Sequence, residues 1–484
     1  MKLGRLALYG SATIATIAAT FLAIEAPVAL AVLFGVCVAL ITVLKLGIRN
    51  GFIVLGILTV GFSAFLGRYA SGVEELNSVG TALLILAGCA SFKRPGLDRR
   101  VIIPGALFLV LAVVMAGVSL AATMNVEFSL RGLVGLVAAP LTVVAVTASL
   151  SHTPDHEVPR ARKFILGAIA SVVLVNIVVG LRQAIFGLSA EEIRSATEGL
   201  STYSVGDQIR LMGTFQSNQD MGLFLACMAP ALLVAGLRAS GRAKAGFFVV
   251  ATLLYVVNFL SLTRTSLIAG VTVGLLALAI WSRGEFVLRV LRNLLVVLAG
   301  TAIFVSVLIA LGVPRVQAAV DRALTLTNLD ADGSFNSRRD ATLPIAWNAF
   351  TSHPLGAGAG AAGPVSQQFA EVAPLGYLNA DNGYLMIGLQ MGFLGLAILI
   401  WMLLAVVVSL GRRGTALRTA GAAAALALAV AMLTAGYWSL LAPICIVAAV
   451  VGVAMSEPRE PRSERGGLVS VDRSRTHSRQ AIDA

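Results

Sequence analysis

The sequence predicts an all-α polytopic integral membrane protein, and three observations carry that prediction. Of the 484 residues, 58% are hydrophobic and only 12% are charged, against about 25% charged in an ordinary soluble domain. Mean hydropathy is +0.89. Apolar runs recur along the whole chain, each long enough to cross roughly 30 Å of hydrocarbon. A water-soluble fold is all but excluded.

Taken in order, the runs give about 14 transmembrane helices: 6–24, 27–44, 51–67, 76–92, 101–122, 132–150, 164–186, 219–237, 246–262, 265–281, 291–312, 382–409, 416–434 and 437–455. The stretch 246–281 is almost uninterrupted. As one helix its 36 residues would reach about 54 Å, far beyond the hydrocarbon thickness. It is therefore two spans, turning near Thr263-Arg264-Thr265.

Lys and Arg orient the spans. With the N-terminus in the cytoplasm, 26 of the 36 basic residues fall inside, while 15 of the 24 acidic residues fall outside. That is the asymmetry of the positive-inside rule. Both termini are then cytoplasmic. The net charge of +12 is accounted for by these loops and forms no folded basic face, so nucleic acid is not an expected partner. Cys37, Cys89, Cys227 and Cys445 all lie in apolar runs without metal-ligand spacing and read as small hydrophobes.

The chain divides into N-terminal spans (1–186), a first large outer loop (187–218), middle spans (219–312), a second large outer loop (313–381), C-terminal spans (382–455) and a cytoplasmic tail (456–484). A structureless loop as long as 313–381 is unusual, and this one has pattern. Val316, Ala319, Val320, Ala323 and Leu324 repeat at helical spacing, as do Leu343, Trp347 and Phe350. Two short helices at the outer interface are expected. The tail is rich in Arg, Ser and Glu and reads as disordered.

Charges at span ends are functional candidates. Orientation gives no reason for the outer arginines: Arg210 in Arg210-Leu-Met-Gly213, Arg264 at the 246–281 turn, and Arg338-Arg339 ahead of Pro354-Leu-Gly356-Ala-Gly358-Ala-Gly360. A guanidinium is a permanently charged planar fork that matches phosphate oxygens; the plainer alternative is interfacial snorkelling. The glycine run lies outside and follows a helix, so it reads as a tight turn or a close backbone approach to a ligand, not as a nucleotide loop. Asp220, Asp321, Asp330, Asp332, Asp340, Glu371 and Asp381 are the outer acidic candidates. Asp330-x-Asp332 is a weak cation signal. The histidines are scattered and no Gly-x-Ser-x-Gly element lies outside, so neither a metal nor a cofactor is called for.

These motifs carry a resemblance. Arg210-x-x-Gly213 with Asn218 at a span start, Thr263-Arg264-Thr-Ser266, Arg339 ahead of Pro354-Leu-Gly-x-Gly, and Asp381-Asn382-Gly-Tyr384-Leu385 with Gly388, Gly392 and Leu394-Gly395 resemble the O-antigen ligase/polymerase family. The likeness covers roughly residues 200–400. The chain departs from the family at Ser217-Asn218, where Pro-Asn is frequent, and at Asp381-Asn382, where His-Asn is common.

The resemblance implies a GT-C-like glycosyltransferase of the bacterial inner membrane, independent of metal. The donor it implies is a glycan on undecaprenyl pyrophosphate, polymerised or ligated with inversion for surface polysaccharide. Arg210, Arg264, Arg338, Arg339, Asn218 and Asn382 would bind pyrophosphate or glycan. Arg264, Arg339 and Asp381 would act in the chemistry, with Asp381 taking the acceptor proton or, alternatively, capping the next helix. A flippase and a chain-length regulator are the companion proteins implied. The competing reading is a lipid-linked oligosaccharide flippase or polysaccharide transporter. Such proteins line a cavity with polar residues deep in many spans, whereas polarity here gathers in outer loops.

Overall fold

The computed structural model describes residues 28–69, 76–91, 97–198, 204–205, 208–281, 286–324, 336–411, 415–436, 438 and 440–458. The expected span 6–24, Asp330 and Asp332, and the tail beyond residue 458 lie outside the described residues.

The elements run α1 (Val28–Gly67), α2 (Leu76–Ser91), α3 (Arg99–Thr123), α4 (Val126–His152), α5 (Val158–Phe186), α6 (Ala190–Glu198), a two-residue pairing of β1 (Ser204–Val205) with β2 (Gln208–Ile209), α7 (Asn218–Arg238), α8 (Gly241–Leu260), α9 (Arg264–Trp281) and α10 (Phe286–Ala310). The second large loop holds α11 (Pro314–Leu324), a π-helical turn (Arg338–Thr342), α12 (Leu343–Ser352) and α13 (Pro364–Gln368). The chain closes with α14 (Gly383–Gly411), α15 (Ala416–Ala431) and α16 (Leu441–Met455).

Among the described residues, seven helices are long and apolar enough to cross a membrane: Leu46–Gly67, Arg99–Thr123, Val126–His152, Val158–Phe186, Asn218–Arg238, Gly241–Leu260 and Gly383–Gly411. Five shorter apolar helices accompany them. The chain is a multi-pass α-helical membrane protein. Residues 246–281 do break into two helices, at Ser261-Leu262-Thr263. Both helices expected in the second large loop form where their spacing placed them, as α11 and α12. The expected division between 27–44 and 51–67 falls within α1 as a kink at Gly47, whose backbone is non-helical at φ 75° and which joins two helices.

The centre of the bundle is α7, 17 of whose 21 residues are buried. A capping box starts it, with Ser217 Oγ accepting from the Asp220 amide and the Asp220 side chain accepting from the Ser217 amide, which satisfies two otherwise unpaired helix-end donors. α7 packs on α8, α9, α15 and α16, and α15 in turn packs on α14. Arg418 at the start of α15 and Arg162 at the start of α5 both reach Glu457, whereas Gln183 at the end of α5 holds the segment just ahead of α7, so the head of α7 lies toward the far end of α15. That end grips the head of α14, through Gly383 N–H donating to Met432 O at 2.8 Å and Tyr384 Oη donating to Ala429 O at 2.8 Å. The long loops therefore share one end of the bundle. At the other end, Ser149 donates to Asn50 at 2.6 Å and Arg162 pairs with Glu457 at 3.2 Å.

Candidate functional site

The segment 210–217 enters the bundle before α7 and is held by side chains that single-motif reading does not reveal. Gln183 Oε1 accepts from the amides of Met212 (3.2 Å) and Gly213 (3.0 Å). Asn176 Oδ1 accepts from Thr214 N–H at 2.9 Å, and Thr214 Oγ1 donates to Gly61 O at 2.7 Å. Arg68 donates to Gly213 O at 2.9 Å and also to Phe215 O. Gly213 has φ 59°, and a Cβ there would stand 2.4 Å from Asn176 Oδ1, so only glycine fits this contact.

Beneath this cradle is a buried ionic group. Glu192, fully buried, accepts from Arg182, from Gln183 Nε2 at 2.8 Å and from Ser189 N–H at 2.8 Å, and lies 3.8 Å from Arg68. A buried carboxylate persists only when its partners offset the desolvation, and Glu192 has them. A sequence signal existed: Asn176 and Gln183, seven residues apart in an apolar run, fall on one helix face.

The cradle sets the positions of three predicted residues. Arg210 is half-buried immediately ahead of the held segment, and Asn218 is buried as the first residue of α7. Arg264 opens α9 beside the same helix head, since a Cβ at Gly222 would meet Thr263 Cγ2 at 3.0 Å and Ser266 Cβ at 3.3 Å. The turn before Arg264 is locked by Ser266 Oγ donating to Asn258 Oδ1 at 2.7 Å.

The other predicted residues gather at the head of α14. Arg338, in the π-helical turn, reaches Asp381 across the second loop, with Nε 3.4 Å from Oδ2. Asn379 Nδ2 donates to the other Asp381 oxygen at 3.3 Å. Asp381 itself has φ 46°, a left-handed conformation that Asp tolerates better than most residues. Arg339 turns instead to its neighbour Asp340, Nε to Oδ1 at 2.7 Å, and that hydrogen bond lowers the Asp340 pKa from its ordinary value.

Asp381 is not the helix cap. Asn382 is: its Oδ1 accepts from the amides of Tyr384 and Leu385, both at 3.0 Å, and its Nδ2 donates to Leu433 O at 3.0 Å. The Asn382 side chain is thus engaged at both ends by backbone.

The glycine run forms turns, one of its two expected readings, with Gly356 N–H donating to His353 O at 2.9 Å and Ala361 N–H to Gly358 O at 3.2 Å. It approaches other backbone, not an open ligand site. Ala359 N–H donates to Met115 O (3.1 Å), Ala357 N–H to Leu389 O (2.8 Å) and Gly358 N–H to Gln390 O (3.2 Å). Ser119 Oγ donates to Ala359 O at 2.6 Å, and Gly360 N–H donates to Gln390 Oε1 at 2.8 Å. Residues 357–363 are buried between α3, α4 and α14. Irregular backbone among spans survives only when protein satisfies it, and here it does. The run thus anchors the end of the second loop, and with it Asp381. Among the described residues, no group of three or more His, Cys, Asp or Glu is arranged to hold a metal ion.

The fold and these two groups define a multi-pass membrane protein whose loop arginines and one carboxylate collect at a single end of the bundle. Residues 247–400, about a third of the chain, match the family described as O-antigen ligase, in agreement with the resemblance read from the sequence. The matched segment includes Arg264, Arg338, Arg339, Asp381 and the glycine run. A comparison with curated proteins finds no match.

Proposed function

We propose that this protein transfers a glycan from undecaprenyl pyrophosphate to an acceptor hydroxyl at the outer face of the bacterial inner membrane. The observation that carries this reading is the Arg338–Asp381 pair at the head of α14, inside the segment that matches the O-antigen ligase family. In this scheme the chain has fourteen GT-C-like spans and both termini in the cytoplasm.

The acceptor oxygen attacks the anomeric carbon, the bond from that carbon to the pyrophosphate oxygen breaks, and the configuration inverts. Asp381 takes the hydroxyl proton, oriented by Arg338 and Asn379. Arg210 and Arg264 hold the pyrophosphate and stabilise the charge that develops as it leaves, an electrostatic contribution on the order of 3 kcal/mol per donor group. Arg339 binds the same leaving group or the glycan, and Asn218 lies against them at the head of α7. No step calls for a metal ion. Polymerisation is favoured over ligation because it needs no second membrane to supply the acceptor. A flippase that delivers the donor and a chain-length regulator are the companions this activity requires.

The test is transfer by the purified protein in lipid nanodiscs, supplied with a defined undecaprenyl-pyrophosphate oligosaccharide. Elongated product and released undecaprenyl pyrophosphate support the reading. Movement of the lipid across the membrane without bond cleavage would support the flippase reading in its place.

A further inference from the structure

Arg315, the second residue of α11, is among the most buried charges in the described structure at 4% exposure. It has no carboxylate partner among the described residues. Nη2 donates to the carbonyl of Ile209, and Nη1 is buried with no partner. Burial pushes its pKa down to about 10, which leaves it cationic at neutral pH. The one carboxylate on its helix, Asp321, is turned to solvent and takes a hydrogen bond from Gln317 at 2.9 Å.

A buried cation without a counter-charge is a poor stabiliser, and an apolar residue of similar size commonly serves stability as well or better. Its one partner is informative. Ile209 is the last residue of β2, and the next residue is Arg210. From Met212 onward the chain is held by Gln183, Asn176 and Arg68. On the near side of Arg210, the hydrogen bond to the Ile209 carbonyl comes from the second outer loop.

We infer that Arg315 is a positioning residue for the proposed glycosyl transfer: by gripping the carbonyl before Arg210, it fixes where the Arg210 guanidinium stands and ties the second outer loop to the first. This rests on the proposed function only for the role of Arg210; the tie itself can be tested apart from it. Misplacing a catalytic group by about 1 Å costs up to about a hundredfold in rate, so a single hydrogen bond at this point has leverage.

Two measurements test it. The first is hydrogen exchange of peptides covering 204–211 in the full-length protein. Arg315→Met should speed exchange there, while Arg315→Lys, which keeps a donor, should change it little. Equal exchange in the wild type and Arg315→Met would overturn the tie, whatever the protein's activity.

The second is the transfer assay on Arg210→Ala, Arg315→Met, Arg315→Lys and the double variant Arg210→Ala/Arg315→Met. The expected result is a donor KM raised about tenfold in Arg315→Met, largely restored in Arg315→Lys, and a double variant no worse than Arg210→Ala, since residues acting as a unit are not additive. If the two losses multiply, Arg315 does not act through Arg210 and the inference fails. If Arg210→Ala itself transfers normally while exchange still responds, the pyrophosphate role of Arg210 fails and the tie stands.

Discussion

Gly358 offers the sharpest test of how the second loop is seated. It has φ 104°, and a Cβ on it would stand 2.4 Å from Ser119 Oγ and 3.1 Å from the Ser119 amide nitrogen. Gly358→Ala therefore incurs two costs. The left-handed backbone costs an L residue about 1–2 kcal/mol, and overpacking the contact with α3 costs about 1–3 kcal/mol. Together they amount to about 2–5 kcal/mol. Ser119→Ala removes the Oγ that is struck, at the expense of its hydrogen bond to Ala359 O. The double variant should thus keep the backbone cost and lose much of the steric one, a coupling of about 0.5–3 kcal/mol. Unfolding of the four proteins in mixed micelles reads out the cycle. A Gly358→Ala protein as stable as the wild type, or strict additivity in the cycle, would refute the seating of this run against α3.

Three further outcomes follow from the same geometry. Glu192→Ala strips a buried group of ion pairs with Arg182 and Arg68 and should cost about 3–5 kcal/mol, seen as a lowered unfolding midpoint; an unchanged midpoint would contradict the buried network. Burial raises the Glu457 pKa by more than Arg162 and Arg418 lower it. A carboxyl with a raised folded pKa contributes most stability below its unfolded pKa and loses that contribution as pH rises through the folded value. The wild type should therefore gain on Glu457→Gln as the pH is lowered from neutral, and the opposite slope would count against it. Finally, alanine at Arg210, Arg264 or Arg339 should cut transfer about a hundredfold or more, with little rescue by lysine because it lacks the planar fork; near-normal product from all three would refute a pyrophosphate clamp.

Much of the bundle is legible in hydropathy alone, because a spanning helix must be apolar over its whole length and ends where charge and glycine return. The break at residues 261–263 and the short helices α11 and α12 follow from length and periodicity in the same way. What local pattern does not carry is backbone packed against distant backbone. Nothing near Gly356 in the sequence announces Met115 or Gln390, so the run's partners become visible only in three dimensions. The site is legible in part for the same reason. Arg338 and Asp381 stand out singly as loop charges, but their pairing depends on how the 42 intervening residues fold. Asp381 and Asn382 are both ordinary cap residues, and only the hydrogen bonds assign the cap to Asn382.

The central claim is that Asp381 serves as base for glycosyl transfer from a lipid-linked donor. The most direct measurement is the transfer rate of purified wild type and Asp381→Asn in nanodiscs, with EDTA present, on one undecaprenyl-pyrophosphate oligosaccharide. Asn fits the same left-handed backbone and leaves the Asn382 cap intact, so the variant should fold normally. The expected result is inverted, elongated product from the wild type despite chelation, and none above background from the folded Asp381→Asn protein. Transfer by Asp381→Asn at close to the wild-type rate would contradict the claim.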